Sequence, residues 1–178
     1  MEMNLPGGPT VAEVMAVSLF KLGIRQGETA ADIGCGTGTV TKEIAKTAGL
    51  VYAVDSREEA CRITEETRKN CGAENIEIFH GEALDFLAAP HKRIDCAFLG
   101  GSRDIEKVLE MLVSQGARSI VVNAVLIETA VSAINKMKEL GIFCDAVHLQ
   151  VSRSYELTGR TMFKPNNPIY IIHGERKC

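Results

Sequence analysis

The chain predicts an α/β fold: a doubly wound, mainly parallel sheet of seven strands with antiparallel strands at its C-terminal edge. Three observations carry this. Short apolar runs alternate with segments of helical period almost from the start. The first five runs are apolar nearly throughout, as in a parallel sheet covered on both faces. The last two strand-like segments have no helix between them, which requires an antiparallel return.

The first helix is expected from Thr10 to about Leu22, with Val11, Val14, Met15, Val17, Ser18 and Leu22 at helical intervals. Its "TVAE" start reads as a capping box, with Thr10 as N-cap and Glu13 three residues on. Strand 29–35, helix 39–47, strand 50–55, helix 57–70 and strand 76–80 follow. Then come strand 94–99, a helix from about Asp104 to Val113, a strand in "RSIVVNAV", and helix 127–140 stopped by Gly141. Segments 143–152 and 169–173 close the chain, joined by a long polar loop. No repeat or linker interrupts the pattern, so residues 1–178 are expected to form one domain.

Composition excludes several classes. With 46% hydrophobic and 24% charged residues the chain has the material for an ordinary core. A formal net charge of −3 speaks against a general nucleic-acid binder. The cysteines at 35, 61, 71, 96, 144 and 178 form no CxxC pair, and no Cys/His spacing resembles a zinc site, so no metal is expected. The N-terminal "MEMNLPGGPT" lacks a basic and an apolar signal region, and no apolar run approaches the ~20 residues that span a bilayer. The expected location is the cytoplasm.

The chemistry starts at "DIGCGTG", where Gly34, Gly36 and Gly38 alternate behind Asp32. A P-loop requires Gly-x4-Gly-Lys-Ser/Thr, and no lysine follows at that spacing. A dinucleotide fingerprint requires Gly-x-Gly-x-x-Gly, whereas Thr39 stands in the sixth place. A carboxylate before the glycines repels pyrophosphate but suits a ligand with an ammonium and a sulfonium, such as S-adenosylmethionine. A tight turn without a ligand is the plainer alternative.

Two further strand ends add to this. "VYAVD" ends at Asp55, where a carboxylate accepts from both ribose hydroxyls. That supports an adenosine ligand without separating this cofactor from NAD. "HGEAL" places Glu82 and the Ala83 amide at the same edge, toward an adenine. Thr10 serves either as a cap alone or also as cover for the methionine end, with "PGGP" before it as a lid.

These motifs resemble the class I S-adenosylmethionine-dependent methyltransferases. With "LPGGPT", "FLGGS", "NAVLIET" and "GRTMFKPNNPIYII", the chain resembles the decarboxylating subunit of the cobalt-precorrin C5,C15-methyltransferase family from about Leu5 to Ile172. The glycine loop marks only the superfamily; the other motifs are more specific. The resemblance implies a Rossmann-like fold and methylation of cobalt-precorrin-6B at C15, with loss of the C12 acetate as carbon dioxide, in anaerobic cobalamin biosynthesis. It implies cofactor contacts at Thr10, Gly34, Cys35, Gly36, Thr37, Gly38, Asp55 and Ala83, beside Asp32. It also implies a homotetramer, with a C5-methyltransferase as a possible partner subunit. One departure is Glu82, where the family pattern has Asp.

The acceptor side is read from charge and room. Gly100, Gly101 and Ser102 leave space for a large flat acceptor, where enzymes acting on exocyclic nitrogens carry Asn/Asp-Pro-Pro-Tyr. From Arg153 onward five basic residues face two acidic ones, leaving the preceding chain at −6. Arginine forks and lysines suit the carboxylate arms of a tetrapyrrole, and Arg153, Arg160, Arg103 and Lys164 are the candidates. Solvated surface charge is the plainer account of each. No catalytic acid or base is identified: His80 is expected by the adenine end, and His91, His148 and His173 have no evident carboxylate partner in the sequence. The rival functions are a class I methyltransferase acting on RNA or protein, an NAD-dependent oxidoreductase, and a non-catalytic adenosyl-binding module.

Overall fold

The computed structural model describes residues 8, 10–101 and 103–176. Helix α1 (Ala12–Leu22) leads into β1 (Thr29–Ile33), α2 (Thr39–Ala45), β2 (Leu50–Asp55), α3 (Glu58–Cys71) and β3 (Ile76–His80). Then follow α4 (Ala83–Ala88), β4 (Cys96–Leu99), α5 (Ile105–Ser114), β5 (Ser119–Ala124) and α6 (Ile127–Glu139). Strands β6 (Phe143–Leu149), β7 (Ser152–Leu157), β8 (Arg160–Pro165) and β9 (Ile169–Glu175) end the chain.

Seven strands form one sheet in the order β3-β2-β1-β4-β5-β9-β6. The first five in that order are parallel, and β9 runs antiparallel to both β5 and β6. Thus β6 is the edge strand and runs in the direction of the first five, while the one antiparallel strand, β9, lies inside the sheet, where its Ile171 and Ile172 are fully buried. Every residue of β4 and β5 is buried, and accordingly β4 and the centre of β5, Ile120 to Val122, read as apolar runs. Helices α1 and α2 cover one face through Val14, Leu22, Val40 and Ile44. Helices α4 to α6 cover the other through Leu87, Leu109, Leu112 and Met137. No helix among the described residues is long and apolar enough to cross a membrane.

Three expectations are corrected. The N-cap of α1 is Val11, and no side chain caps the helix, so Thr10 forms no capping box. Glu13 instead turns outward to an ion pair with Arg153 at 2.7 Å. Helix α4 is absent from the sequence reading because six residues give under two turns of periodicity. The long polar loop is a two-stranded antiparallel ribbon, β7 with β8, which stands apart from the main sheet. Its turn is Thr158–Gly159, both at positive φ (49° and 74°), the geometry of a tight hairpin turn. Threonine is a poor marker for such a turn, so the sequence conceals it.

Candidate functional site

The carboxyl ends of β1, β2 and β4 carry two cavities on either side of the glycine loop, of about 380 and 410 Å³. Gly34, Gly100 and Arg57 line both. A parallel sheet opens its crevice at this edge because neighbouring connections diverge to opposite faces.

The loop between β1 and α2 depends on glycine. Gly34, Gly36 and Gly38 take φ of 81°, 58° and 70°, in the left-handed region. At Gly34 a Cβ would lie 2.7 Å from the Gly101 amide nitrogen, so Gly100 and Gly101 after β4 pack backbone against backbone with the first loop. The loop is tied to β2 as well, with the Gly34 amide donating to the Val54 carbonyl at 2.8 Å. Gly38 lines neither cavity: it caps α2, and a Cβ there would press at 3.1 Å on Thr64 of α3. Its part is helix packing. Cys35 is buried, its thiol 3.4 Å from the Thr64 hydroxyl, and burial pushes its pKa up, away from thiolate chemistry.

The first cavity is bordered by Asp55, Gly81, Glu82, Ala83, Gly101 and Arg103. Asp55 is nearly fully buried. Burial raises its pKa, but the Arg57 side chain and the Arg57 and Gly36 amides outweigh this and hold it below the usual value. Its Oδ1 accepts from the Arg57 amide (3.0 Å) and Nε (2.9 Å). Its Oδ2 accepts from the Gly36 amide (3.0 Å) and the Arg57 guanidinium (2.8 Å). Arg57 is a site residue the sequence reading missed; nothing in its spacing separates it from an ordinary helix entry. Glu82 and Arg103 pair with each other here, so Arg103 lies apart from the basic residues of the ribbon.

The second cavity gathers Thr10, Asp32, Gly36, Thr37, Phe98 and Asn123 under α1, closed on one side by Asn166 to Ile169. Asp32 is completely buried; desolvation pushes its pKa up to about 7, against the opposing Thr41 hydrogen bond. Its Oδ2 accepts from the Thr41 hydroxyl at 2.5 Å, while Oδ1 has no partner among the described residues. Asn123 and the segment 166–168 are further residues that the sequence reading missed.

The ribbon rises from the rim of this second cavity, since the Asn166 amide donates to the Val151 carbonyl at its base. Every residue of β7 and β8 is exposed. Cross-strand pairing puts Arg153 opposite Lys164, Tyr155 opposite Met162, and Leu157 opposite Arg160. One face of the ribbon is therefore apolar in its middle and basic at both ends. Ser102 lies outside the described residues, as does most of "PGGP".

The histidines stay away from these cavities or at their margin. His80 Nε2 lies 3.2 Å from the Ser56 carbonyl, His91 stacks on Phe86, and His148 on Tyr170. His173 does have a carboxylate neighbour, contrary to expectation: Nδ1 lies 3.8 Å from Asp145. Burial lowers its pKa, and neither cavity includes it. Cys144, His173 and Glu175 also bring donor atoms within 4.8 Å of one another, a grouping that spacing does not reveal. Arg118 already neutralises Glu175 there, at 3.0 Å.

The buried, unpaired Oδ1 of Asp32 and the glycine backbone open to a ligand fit the ammonium and sulfonium of S-adenosylmethionine. Asp55 and the Ala83 amide fit its adenosine end.

Residues 6–176 match the family model described as a precorrin methyltransferase domain. The chain is 50% identical to a protein of Methanosarcina mazei named probable cobalt-precorrin-6B C(15)-methyltransferase (decarboxylating), covering 98% of this chain and 97% of that one. A solved structure described as precorrin 8w decarboxylase, from Methanobacterium thermoautotrophicum, superposes with a TM-score of 0.90 at 31% identity, over 98% and 96% of the two chains. A SAM-dependent O-methyltransferase of Thermotoga maritima shares the fold at a TM-score of 0.76 and 17% identity, over 96% of this chain and 67% of that one.

Proposed function

The chain belongs to the precorrin methyltransferase family, and on that premise we propose that it methylates C15 of cobalt-precorrin-6B and removes the C12 acetate carboxyl as carbon dioxide. The observation that carries this reading is a crevice in two parts sharing Gly34 and Gly100, with adenosine-type groups in one part and ammonium-type groups in the other. An NAD enzyme would place a pyrophosphate where Asp32 is buried, which the carboxylate opposes.

S-adenosylmethionine supplies a methyl group already activated on its sulfonium. The protein's share is orientation and exclusion of water. Gly34 and Gly36 let backbone approach the cofactor, Asp32 takes its ammonium, Asp55 its ribose hydroxyls, and Ala83 with Glu82 its adenine. Because Arg57 fills the accepting positions of Asp55, it withdraws when ribose binds. Gly100 and Gly101 leave the acceptor ring room beside the methyl group. Arg153, Arg160 and Lys164 hold the carboxylate arms by charge-assisted hydrogen bonds. In the decarboxylation the electron pair of the broken carbon–carbon bond is drawn into the macrocycle, and a proton replaces the carboxyl group.

A homotetramer in the cytoplasm belongs to the same reading. The support for the assembly is the exposure of Leu126, Ile127 and Phe163, each more than half exposed, which subunit contacts would cover. The test is anaerobic incubation of the full chain with S-adenosylmethionine and cobalt-precorrin-6B, followed by product mass. Gain of one methyl with loss of one carbon dioxide is expected. An unchanged tetrapyrrole in the presence of a binding-competent protein would refute the acceptor.

A further inference from the structure

At the opposite end of the sheet from the crevice, three donor atoms of zinc-binding type converge. The ligand atoms of Cys144 on β6 and of His173 and Glu175 on β9 lie within 4.8 Å of one another. Glu175 pairs with Ser119, the first residue of β5, whereas Asn123 of the same strand lines the second cavity. At the usual rise per residue those two positions on β5 stand about 13 Å apart, so the cluster belongs to neither half of the crevice.

A β-bulge assembles the cluster. Phe143 pairs with Gly174 and Asp145 with His173, which leaves Cys144 as the extra residue between them. Regular alternation would send Cys144 and Asp145 to opposite faces; the bulge leaves both beside His173. Glu175 stands two positions after His173 on β9 and therefore shares its face.

Each donor can be released from its present contacts. His173 Nε2 lies 3.3 Å from the hydroxyl of Ser119, which is 1% exposed. With the Nε2 proton given to that oxygen, Nδ1, on the side of Asp145, keeps its lone pair for an ion. A buried partner of this kind is what orients a metal-bound imidazole. Arg118 takes Oε1 of Glu175 at 3.0 Å, and it keeps a two-pronged pair with Glu28 when Glu175 turns away. The other cation facing the cluster, Lys21, is held by Oδ2 of Asp145 at 2.5 Å. Cys144 is exposed, and its thiol lies 3.6 Å from the Ile142 carbonyl, a weak contact to exchange for a metal bond.

We propose that Cys144, His173 and Glu175 bind a zinc-type divalent ion that ties β6 to β9 across the bulge. A thiolate, an imidazole and one carboxylate select zinc over calcium and magnesium, which take oxygen ligands throughout. Zinc bonds of about 2.0–2.3 Å set neighbouring ligands roughly 3.5 Å apart, so the donors close by about 1 Å, which side chains at the surface can follow. The thiol gives its proton to solvent as the ion binds. Three protein ligands leave the fourth position to water.

The test is titration of the full chain with cobalt(II), a spectroscopic stand-in for zinc, under reducing conditions without oxygen. The unaltered protein is expected to take up a single ion per chain. It should show the visible bands of a four-coordinate site and a near-ultraviolet thiolate-to-cobalt band, and zinc should displace both. His173→Gln and Glu175→Gln are expected to weaken binding by about tenfold or more, the smallest loss usual when even a neighbour of a metal ligand is removed. Cys144→Ser, at an exposed position, loses the thiolate band and decides the matter should His173→Gln not fold. Cys71→Ser and Cys178→Ser keep both band and affinity.

A chain that takes up neither cobalt nor zinc overturns the site. So does a thiolate band that survives Cys144→Ser, or one lost in Cys71→Ser or Cys178→Ser, since the ion would then sit on another cysteine. Uptake without a thiolate band and unchanged in His173→Gln would be an adventitious ion only, on surface carboxylates, and overturns it as well.

Discussion

The glycine-loop half of the crevice and the β7–β8 ribbon meet at one rim but are held in opposite ways. In the first, Asp32 and Asp55 are buried, the loop is tied to β2, and a single added carbon at Gly34 would lie 2.7 Å from the backbone of Gly101. In the second, all twelve residues of the two strands are exposed, and one ion pair, Arg153 with Glu13, reaches back to the body. A small ligand gripped through backbone and buried acids needs fixed geometry. A broad polyanion gripped through long cationic side chains needs reach, and an exposed ribbon supplies it. Damage should therefore spread to the fold in the first half and stay with the acceptor in the second.

The largest effect is expected at Gly34→Ala. Left-handed backbone and contact with Gly101 act together, and about 3 kcal/mol of stability should be lost. Chemical denaturation measures this, and S-adenosylhomocysteine binding should disappear. A variant as stable as the original would mean that the loop is not packed as described. Next comes Asp55→Asn, which leaves the Gly36 amide and Arg57 with a weaker acceptor. A loss of about 1–3 kcal/mol is expected, with cofactor binding reduced at least tenfold and methylthioadenosine affected equally, since the ribose is common to both.

Asp32 separates stability from binding through pH. Its folded-state pKa is raised from 3.8 to about 7 by burial, so the folded chain holds this proton more tightly than the unfolded chain. The stability this contributes is complete below about pH 4 and is lost as pH rises through 7. The cofactor's ammonium favours the ionised carboxylate, so binding should strengthen over the upper part of that range. Asp32→Asn should flatten both trends, measured by urea midpoints and calorimetry between pH 5 and 8. Parallel slopes for stability and binding would contradict the placement of Oδ1 toward the ligand.

What the sequence disclosed divides along the same line. Strands β2 and β3 were bounded to the residue, β2 as a buried and mostly apolar run and β3, at the sheet's edge, as a short apolar segment of which only Ile76 is buried. The glycine spacing with Asp32 and Asp55 was legible because it encodes local backbone geometry. Asn123 and Arg57 were not, since their importance comes from register across the sheet and from a neighbour two residues away. Thr10 misled: a capping-box pattern matched, but Arg153, 140 positions on, claims Glu13. The ribbon was hidden by a Thr-Gly turn and by having no buried face to impose alternation.

The comparison stands or falls on Arg160→Glu combined with Lys164→Glu, two exposed residues with no contact to either cavity. Cofactor affinity and cobalt-precorrin-6B kinetics are measured on the same preparation. The account predicts S-adenosylhomocysteine binding within twofold of the original and a KM for the tetrapyrrole raised by about tenfold or more. An unchanged KM, or a cofactor affinity that falls with it, would contradict the division between a locked crevice for the cofactor and a reaching ribbon for the acceptor.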